Sequence, residues 1–231
     1  MIGIFDYTVW LTYLSLMSAT IGIVVSLQQS GHPYIGVFFL LLCGLCDAFD
    51  GRVARAKKNR TDFEKKYGIQ IDSLSDLVAF GVLPACIGNA MIRVSPTISE
   101  IPSIHKGDRL AFPIEIFLYI IVLVYTLATL IRLAYFNVTE EERQRTESGS
   151  RRYFTGLPVT SAALIFPSVL LFQYVIPKDI TLVYFGVMLL TAILFLSKIQ
   201  IRKPGLRGIL IMVVIGFVEF ILLGITLHRR W

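Results

Sequence analysis

Seven runs of about 20 predominantly apolar residues leave this chain few places to fold other than a lipid bilayer. A helix needs about 20 such residues to cross a hydrocarbon core roughly 30 Å thick. In lipid every backbone polar group must be satisfied within the fold, which favours helices over irregular chain. The runs fall at roughly 8–27, 33–53, 71–92, 113–137, 157–176, 180–198 and 208–228 of the 231 residues. Only 16% of residues are charged, against 55% hydrophobic, and the mean hydropathy is +0.69. That balance excludes a disordered chain and argues against an ordinary soluble domain. The expectation is therefore all-α: a polytopic membrane helical bundle forming a single integral membrane domain over 1–231. The opening residues carry no positive segment, so the first run is expected to stay as a span rather than be cleaved as a signal peptide. Cys43 and Cys46 are spaced C-x-x-C, but Cys86 is the only other cysteine. With no second pair to complete a structural zinc site, all three are read as packing residues.

The basic residues set the orientation. Seven lie between Arg52 and Lys66, four in 138–156 and four in 198–207, out of 22 in the chain. These three loops fall on one side of the membrane, and only six lysines and arginines fall on the other. The positive-inside rule then puts the three loops and the amino terminus in the cytoplasm, and seven spans leave the carboxyl terminus outside. The net charge of +6 is accounted for by these clusters. Membrane lipid is the expected partner of such charge, and no nucleic acid is expected.

Ionisable groups within or beside spans are costly, so their positions are functional hypotheses. Asp47 and Asp50 lie three apart at the cytoplasmic end of the second span, and Asp72 and Asp76 lie four apart at the start of the third. Both spacings put two side chains on one helical face. A short polar connection makes the two helices antiparallel neighbours, so all four carboxylates can converge. Like charges so gathered must be protonated or neutralised by cations. All-oxygen ligands suit a hard ion such as Mg²⁺ or Mn²⁺. Four carboxylates on two helices suggest two ions, an arrangement suited to displacement at phosphorus. Gly51 and Gly68 permit close approach of a ligand, and Arg52 and Arg55 offer phosphate-pairing cations. A plainer reading makes the aspartates helix caps paired with nearby arginines, but it leaves the two in-phase acidic pairs and the glycines unexplained.

The pattern Asp47-x-x-Asp50-Gly51-x-x-Ala54-Arg55, then Gly68-x-x-x-Asp72-x-x-x-Asp76, resembles the signature of the CDP-alcohol phosphatidyltransferases. One departure is that residues 56–67 separate the arginine from the second glycine, twelve positions where the family usually has eight. The extra residues are polar and read as a lengthened cytoplasmic turn. Within the family the chain is similar to the serine-using branch. Asp72-Ser73-Leu74-Ser75-Asp76-Leu77-Val78-Ala79-Phe80-Gly81-Val82, Arg132-Leu133-Ala134-Tyr135-Phe136-Asn137, Phe154-Thr155-Gly156-Leu157-Pro158 and Ser197-Lys198-Ile199 carry that likeness.

The resemblance implies a six-helix core over about 8–203, with the span at about 208–228 outside it. It implies transfer of the phosphatidyl group from CDP-diacylglycerol to the hydroxyl of L-serine, giving phosphatidylserine and CMP. It makes Asp47, Asp50, Asp72 and Asp76 ligands of two divalent cations, Mg²⁺ or Mn²⁺, and Asp76 the base for the serine hydroxyl. It assigns Asp47, Gly51, Ala54, Arg55, Gly68 and Asp72 to the CDP moiety. Thr12 and Ser15 resemble a nucleotide-adjacent T-x-x-N, with serine standing where the family has asparagine. A homodimer in a prokaryotic plasma membrane, with its site facing the cytoplasm, completes the implied picture.

Other residues have two readings each. Arg132, inside the fourth span, binds the lipid phosphate or the serine carboxylate, or else makes a structural pair. Asn137 is a substrate contact or a helix C-cap. Arg151 and Arg152 gather anionic substrate or form a solvated loop. Lys198 reaches a phosphate or anchors at the interface. Gly156 and Pro158 are expected to start the fifth helix. Glu219, in the seventh run, has no account at this level. Two rival functions share the aspartates: a same-family transferase using glycerol phosphate or inositol phosphate, and a divalent-cation transporter, which would place its carboxylates at mid-membrane.

Overall fold

The computed structural model describes residues 2–28, 32–100, 112–146, 153–175, 178–202, 211, 214–219 and 221–222. Helix α1 (Tyr7–Leu27) packs along α2 (Pro33–Ala56), and α3 (Asp62–Asp76) continues through a π-turn at Leu77–Val82 into α4 (Leu83–Val94). A short α5 (Pro96–Glu100) follows, then the long α6 (Phe112–Thr146), α7 (Ala162–Val175) and α8 (Thr181–Leu196). Tyr7–Leu27, Pro33–Ala56, Asp62–Val94 and Ile114–Arg143 are long and apolar enough to cross a membrane, while Val159–Gln173 and Thr181–Leu196 are apolar but shorter. The helical membrane bundle expected from sequence is what the chain forms.

Close packing of α1 on its neighbours follows from a stripe of small residues. Thr8, Thr12, Ser15, Ser18, Ala19, Gly22 and Ser26 recur mostly at three- and four-residue intervals and are buried. Small side chains let backbones approach in lipid, where helix association depends on packing rather than on the hydrophobic effect. A Cβ on Gly22 would lie 2.9 Å from both Leu83 and Phe39, so α2 and α4 both press on that face. Deeper in the bundle, Tyr34, Phe80, Tyr125, Phe166, Tyr184, Phe185 and Phe195 are fully buried. Tyr125 also meets the break at the π-turn, and Tyr184 binds the turn that follows it. Pro84 removes the N–H that would reach the Phe80 carbonyl in a regular α-helix. The Tyr125 hydroxyl donates to that carbonyl at 2.6 Å, and the Tyr184 hydroxyl donates to the Pro84 carbonyl at 2.8 Å.

Three features differ from the sequence reading. Helix α3 begins at Asp62 rather than near 71, because Thr61 and Glu64 form a capping box: the Glu64 N–H donates to Thr61 Oγ1 at 3.2 Å, and the Thr61 N–H to Glu64 Oε2 at 2.7 Å. The lengthened turn expected over 56–67 is therefore mostly helix, and the connection itself is Lys57–Thr61. Helix α6 runs on to Thr146 rather than ending at 137. The third difference is a two-stranded antiparallel ribbon, β1 (Tyr153–Thr155) with β2 (Gln200–Arg202), that joins the chain before α7 to the chain after α8.

Gly156 ends β1 with φ +80°. A Cβ there would lie 2.8 Å from the Ser197 carbonyl oxygen and 2.9 Å from the Phe195 carbonyl oxygen, so both conformation and space require glycine. Pro158 then precedes a 3₁₀ turn at Val159–Ser161 that leads into α7, as expected for a helix start. Of the seventh run, 214–219 are described and helical, and much of the rest of 208–228 lies outside the described residues.

Candidate active site

The acidic motif sits where α2 ends and α3 runs beside it. One carboxylate oxygen each from Asp47, Asp50 and Asp72 lie within 4.8 Å of one another. Asp50 is 9% exposed and Asp76, one turn beyond Asp72, is 8% exposed. The structure thus gathers three of the four expected aspartates into one tight set. Asp76 is buried on the same helix but does not join that set. A three-oxygen set with no sulfur or imidazole fits a hard divalent cation, and such an ion would offset the repulsion among the carboxylates.

Helix α1 closes one side of this set. The Thr12 hydroxyl donates to Asp50 Oδ2 at 3.4 Å, and the Ser75 hydroxyl donates to the Thr12 carbonyl at 3.2 Å. Ser15, one turn along, is 2% exposed, and its hydroxyl has no hydrogen-bond partner among the described residues. Its carbonyl accepts from the Cys43 thiol at 3.3 Å. Both α1 residues singled out in the sequence therefore lie on the buried face toward α2 and α3.

The glycines have charged neighbours. A Cβ on Gly51 would lie 3.2 Å from Arg55 Nη1, and one on Gly68 would lie 2.7 Å from Arg60 Nη2. Arg55 is thus folded back over Gly51, and Ala54 is half-buried in the same turn. Beyond them Lys57 binds Asp6 at 2.5 Å and Glu64 at 2.7 Å, tying the start of α1, the end of α2 and the start of α3. The hydrogen bond from Lys57 holds the Asp6 carboxyl below its ordinary value, and Asp6 in turn raises the lysine.

The remaining expected residues separate into groups. Asn137 Nδ2 donates to the Ser73 hydroxyl at 2.6 Å, next in sequence to Asp72. The C-cap reading of Asn137 is overturned, because α6 continues past it to Thr146. Arg132 is 5% exposed; its Nε donates to the Leu157 carbonyl at 3.1 Å, and its guanidinium lies 5.7 Å from the Phe136 ring centroid. Lys198 is exposed after α8. Arg151 and Arg152 lie outside the described residues. Sequence reasoning gave no role to Arg60, Ser73 or Ser75. The two serines stand between the aspartates of the motif, and helical spacing would have aimed Ser75 at α1 only with the position of α1 known.

The family model for CDP-alcohol phosphatidyltransferase matches residues 7–199. A Saccharomyces cerevisiae protein named CDP-diacylglycerol–serine O-phosphatidyltransferase is 35% identical over 163 residues, covering 68% of this chain and 50% of the relative. A Helicobacter pylori protein of the same name is 24% identical over 196 residues, covering 83% of this chain and 70% of its own. An archaetidylserine synthase of Methanothermobacter thermautotrophicus is 29% identical over 199 residues, covering 84% and 70%. The match thus spans half the length of the yeast relative.

Proposed function

The chain belongs to the CDP-alcohol phosphatidyltransferase family, and from that premise we propose that it transfers the phosphatidyl group of CDP-diacylglycerol to L-serine. The observation that carries this reading is the convergence of Asp47, Asp50 and Asp72 within 4.8 Å, with buried Asp76 one turn further along α3. The names of the relatives support serine as acceptor. In this reading Asp47, Asp50, Asp72 and Asp76 hold two divalent cations, Mg²⁺ or Mn²⁺. When bound, the ions supply charge compensation for the diphosphate and the departing CMP.

The chain's own residues do the rest. Thr12, Ser15, Gly51, Ala54, Arg55 and Gly68 form the surface for the CDP moiety, with Asp47 and Asp72 at its edge. Asp76 accepts the proton of the serine hydroxyl as its oxygen attacks the lipid-side phosphorus. A new P–O bond to serine forms, the P–O bond to CMP breaks, and CMP leaves with the electron pair. No covalent enzyme intermediate is required, so the rate depends on positioning. Arg132 and Asn137 line the acceptor side, toward the lipid phosphate or the serine carboxylate, with Arg151, Arg152 and Lys198 attracting anions nearby. The basic loops support a site on the cytoplasmic face, here of a prokaryotic plasma membrane, and the family resemblance supports a homodimer with 8–203 as the catalytic core.

The test is CMP release by purified protein in detergent with CDP-diacylglycerol and Mg²⁺ or Mn²⁺. Serine, glycerol 3-phosphate and inositol phosphate are offered separately. Release with serine alone is expected, and Asp76→Asn should lower it by about 10²–10⁴-fold, the usual contribution of a general base. Release only with a phosphorylated acceptor would overturn the serine assignment while keeping the family chemistry.

A further inference from the structure

Arg60 lies in the Lys57–Thr61 connection, outside the family motif, and its side chain folds back between the two helices that carry the aspartates. Nη1 donates to the Ala54 carbonyl at 3.4 Å and Nη2 to the Glu64 carbonyl at 3.1 Å. Nη2 would lie 2.7 Å from a Cβ on Gly68, so the guanidinium rests against bare glycine backbone. Nε is buried and has no hydrogen-bond partner among the described residues. Among those residues no carboxylate forms an ion pair with Arg60. Its fork, suited to a two-oxygen anion, is engaged by two neutral carbonyls, one at the long limit of a hydrogen bond.

Ala54 and Gly68 both belong to the surface assigned above to the nucleotide. Resting on that reading, we propose that Arg60 is a further substrate-binding residue, whose guanidinium turns from the Ala54 and Glu64 carbonyls to the diphosphate of CDP-diacylglycerol. The anion supplies an acceptor for Nε. A purely structural arginine would instead strap the end of α2 to α3 and leave nucleotide affinity alone.

The experiment compares Arg60→Gln and Arg60→Lys with the unaltered protein. Glutamine keeps a donor for the carbonyls and removes the charge; lysine keeps the charge without the fork. Calorimetric binding of CDP with Mg²⁺ and without serine is read beside steady-state kinetics. Arg60→Gln should weaken CDP binding and raise the KM for CDP-diacylglycerol by about tenfold or more, as for a hydrogen bond to a charged group. Arg60→Lys should recover part of the loss, with the KM for serine little changed in both. Unchanged CDP affinity in folded Arg60→Gln would overturn the proposal, as would a lowered thermal midpoint and kcat with affinity intact. If the unaltered protein binds no CDP, the nucleotide reading fails first and this inference with it.

Discussion

At the residue scale the acidic site is held by neighbouring groups that touch its carboxylates. Thr12 is the clearest case. Its hydroxyl donates to Asp50 Oδ2, and its carbonyl is pinned by Ser75 from α3. Partners of this kind orient ligands, and their loss commonly costs about 10–100-fold in metal affinity or activity. The 3.4 Å length puts Thr12 at the lower end. Thr12→Val, close in shape but without the hydroxyl, should raise the Mn²⁺ concentration for half-maximal CMP release about tenfold. Serine affinity should hold. An unchanged metal requirement would mean that Asp50 is oriented by α2 alone.

At the element scale a second polar network fastens helix ends on the side away from the acidic site. Asp179, just before α8, accepts hydrogen bonds from the Ser95 hydroxyl, the Thr97 N–H at 3.1 Å and the Thr181 N–H at 2.9 Å. Partial burial pushes its carboxyl up, but the bonds from Ser95, Thr181 and Thr97 outweigh that and hold it at about 2, below the ordinary 3.8. A depressed carboxyl stabilises the fold above its unfolded value and loses that contribution as pH falls toward the folded one. Asp179→Asn should therefore lower the thermal midpoint at pH 7, and the gap to the unaltered protein should close between about pH 4 and pH 2. A gap independent of pH would show that shape, not charge, matters at this position. Helix ends such as these are also where the sequence was least legible. Hydrophobic run length located four helices long and apolar enough to cross a membrane and two shorter apolar ones, and the three- and four-residue spacing of the aspartates located the acidic set. The polar segment 62–70 has no apolar run to mark it, yet the Thr61–Glu64 capping box makes it helix. The π-turn before Pro84 and the ribbon before α7 depend on partners far along the chain, Tyr125 for one and Gln200–Arg202 for the other. Local pattern carries no signal for such pairings. Arg60 was hidden for a related reason, since its contacts with the Ala54 carbonyl of α2 and with Gly68 of α3 exist only once the connection has folded.

At the scale of the whole molecule, the family match ends at residue 199, while the chain continues into a further apolar run. Described residues of that run dock on the core. A Cβ on Gly216 would lie 3.4 Å from Leu164 of α7, and Glu219 is 5% exposed with its Oε1 accepting from the Ser168 hydroxyl. Interhelical polar contacts in membranes contribute about 0.6–2 kcal/mol each. None of the proposed catalytic residues forms a described hydrogen bond with Glu219. We expect the added segment to act on stability rather than chemistry. A chain ended after Arg202 should retain CMP release within about threefold while unfolding at a lower temperature, and Ser168→Ala should cost about 1 kcal/mol in the full chain but nearly nothing in the shortened one. An equal cost in both chains would assign Ser168 to the packing of α7 alone. Loss of CMP release on shortening, in protein that remains folded, would instead make the seventh helix part of the catalytic unit.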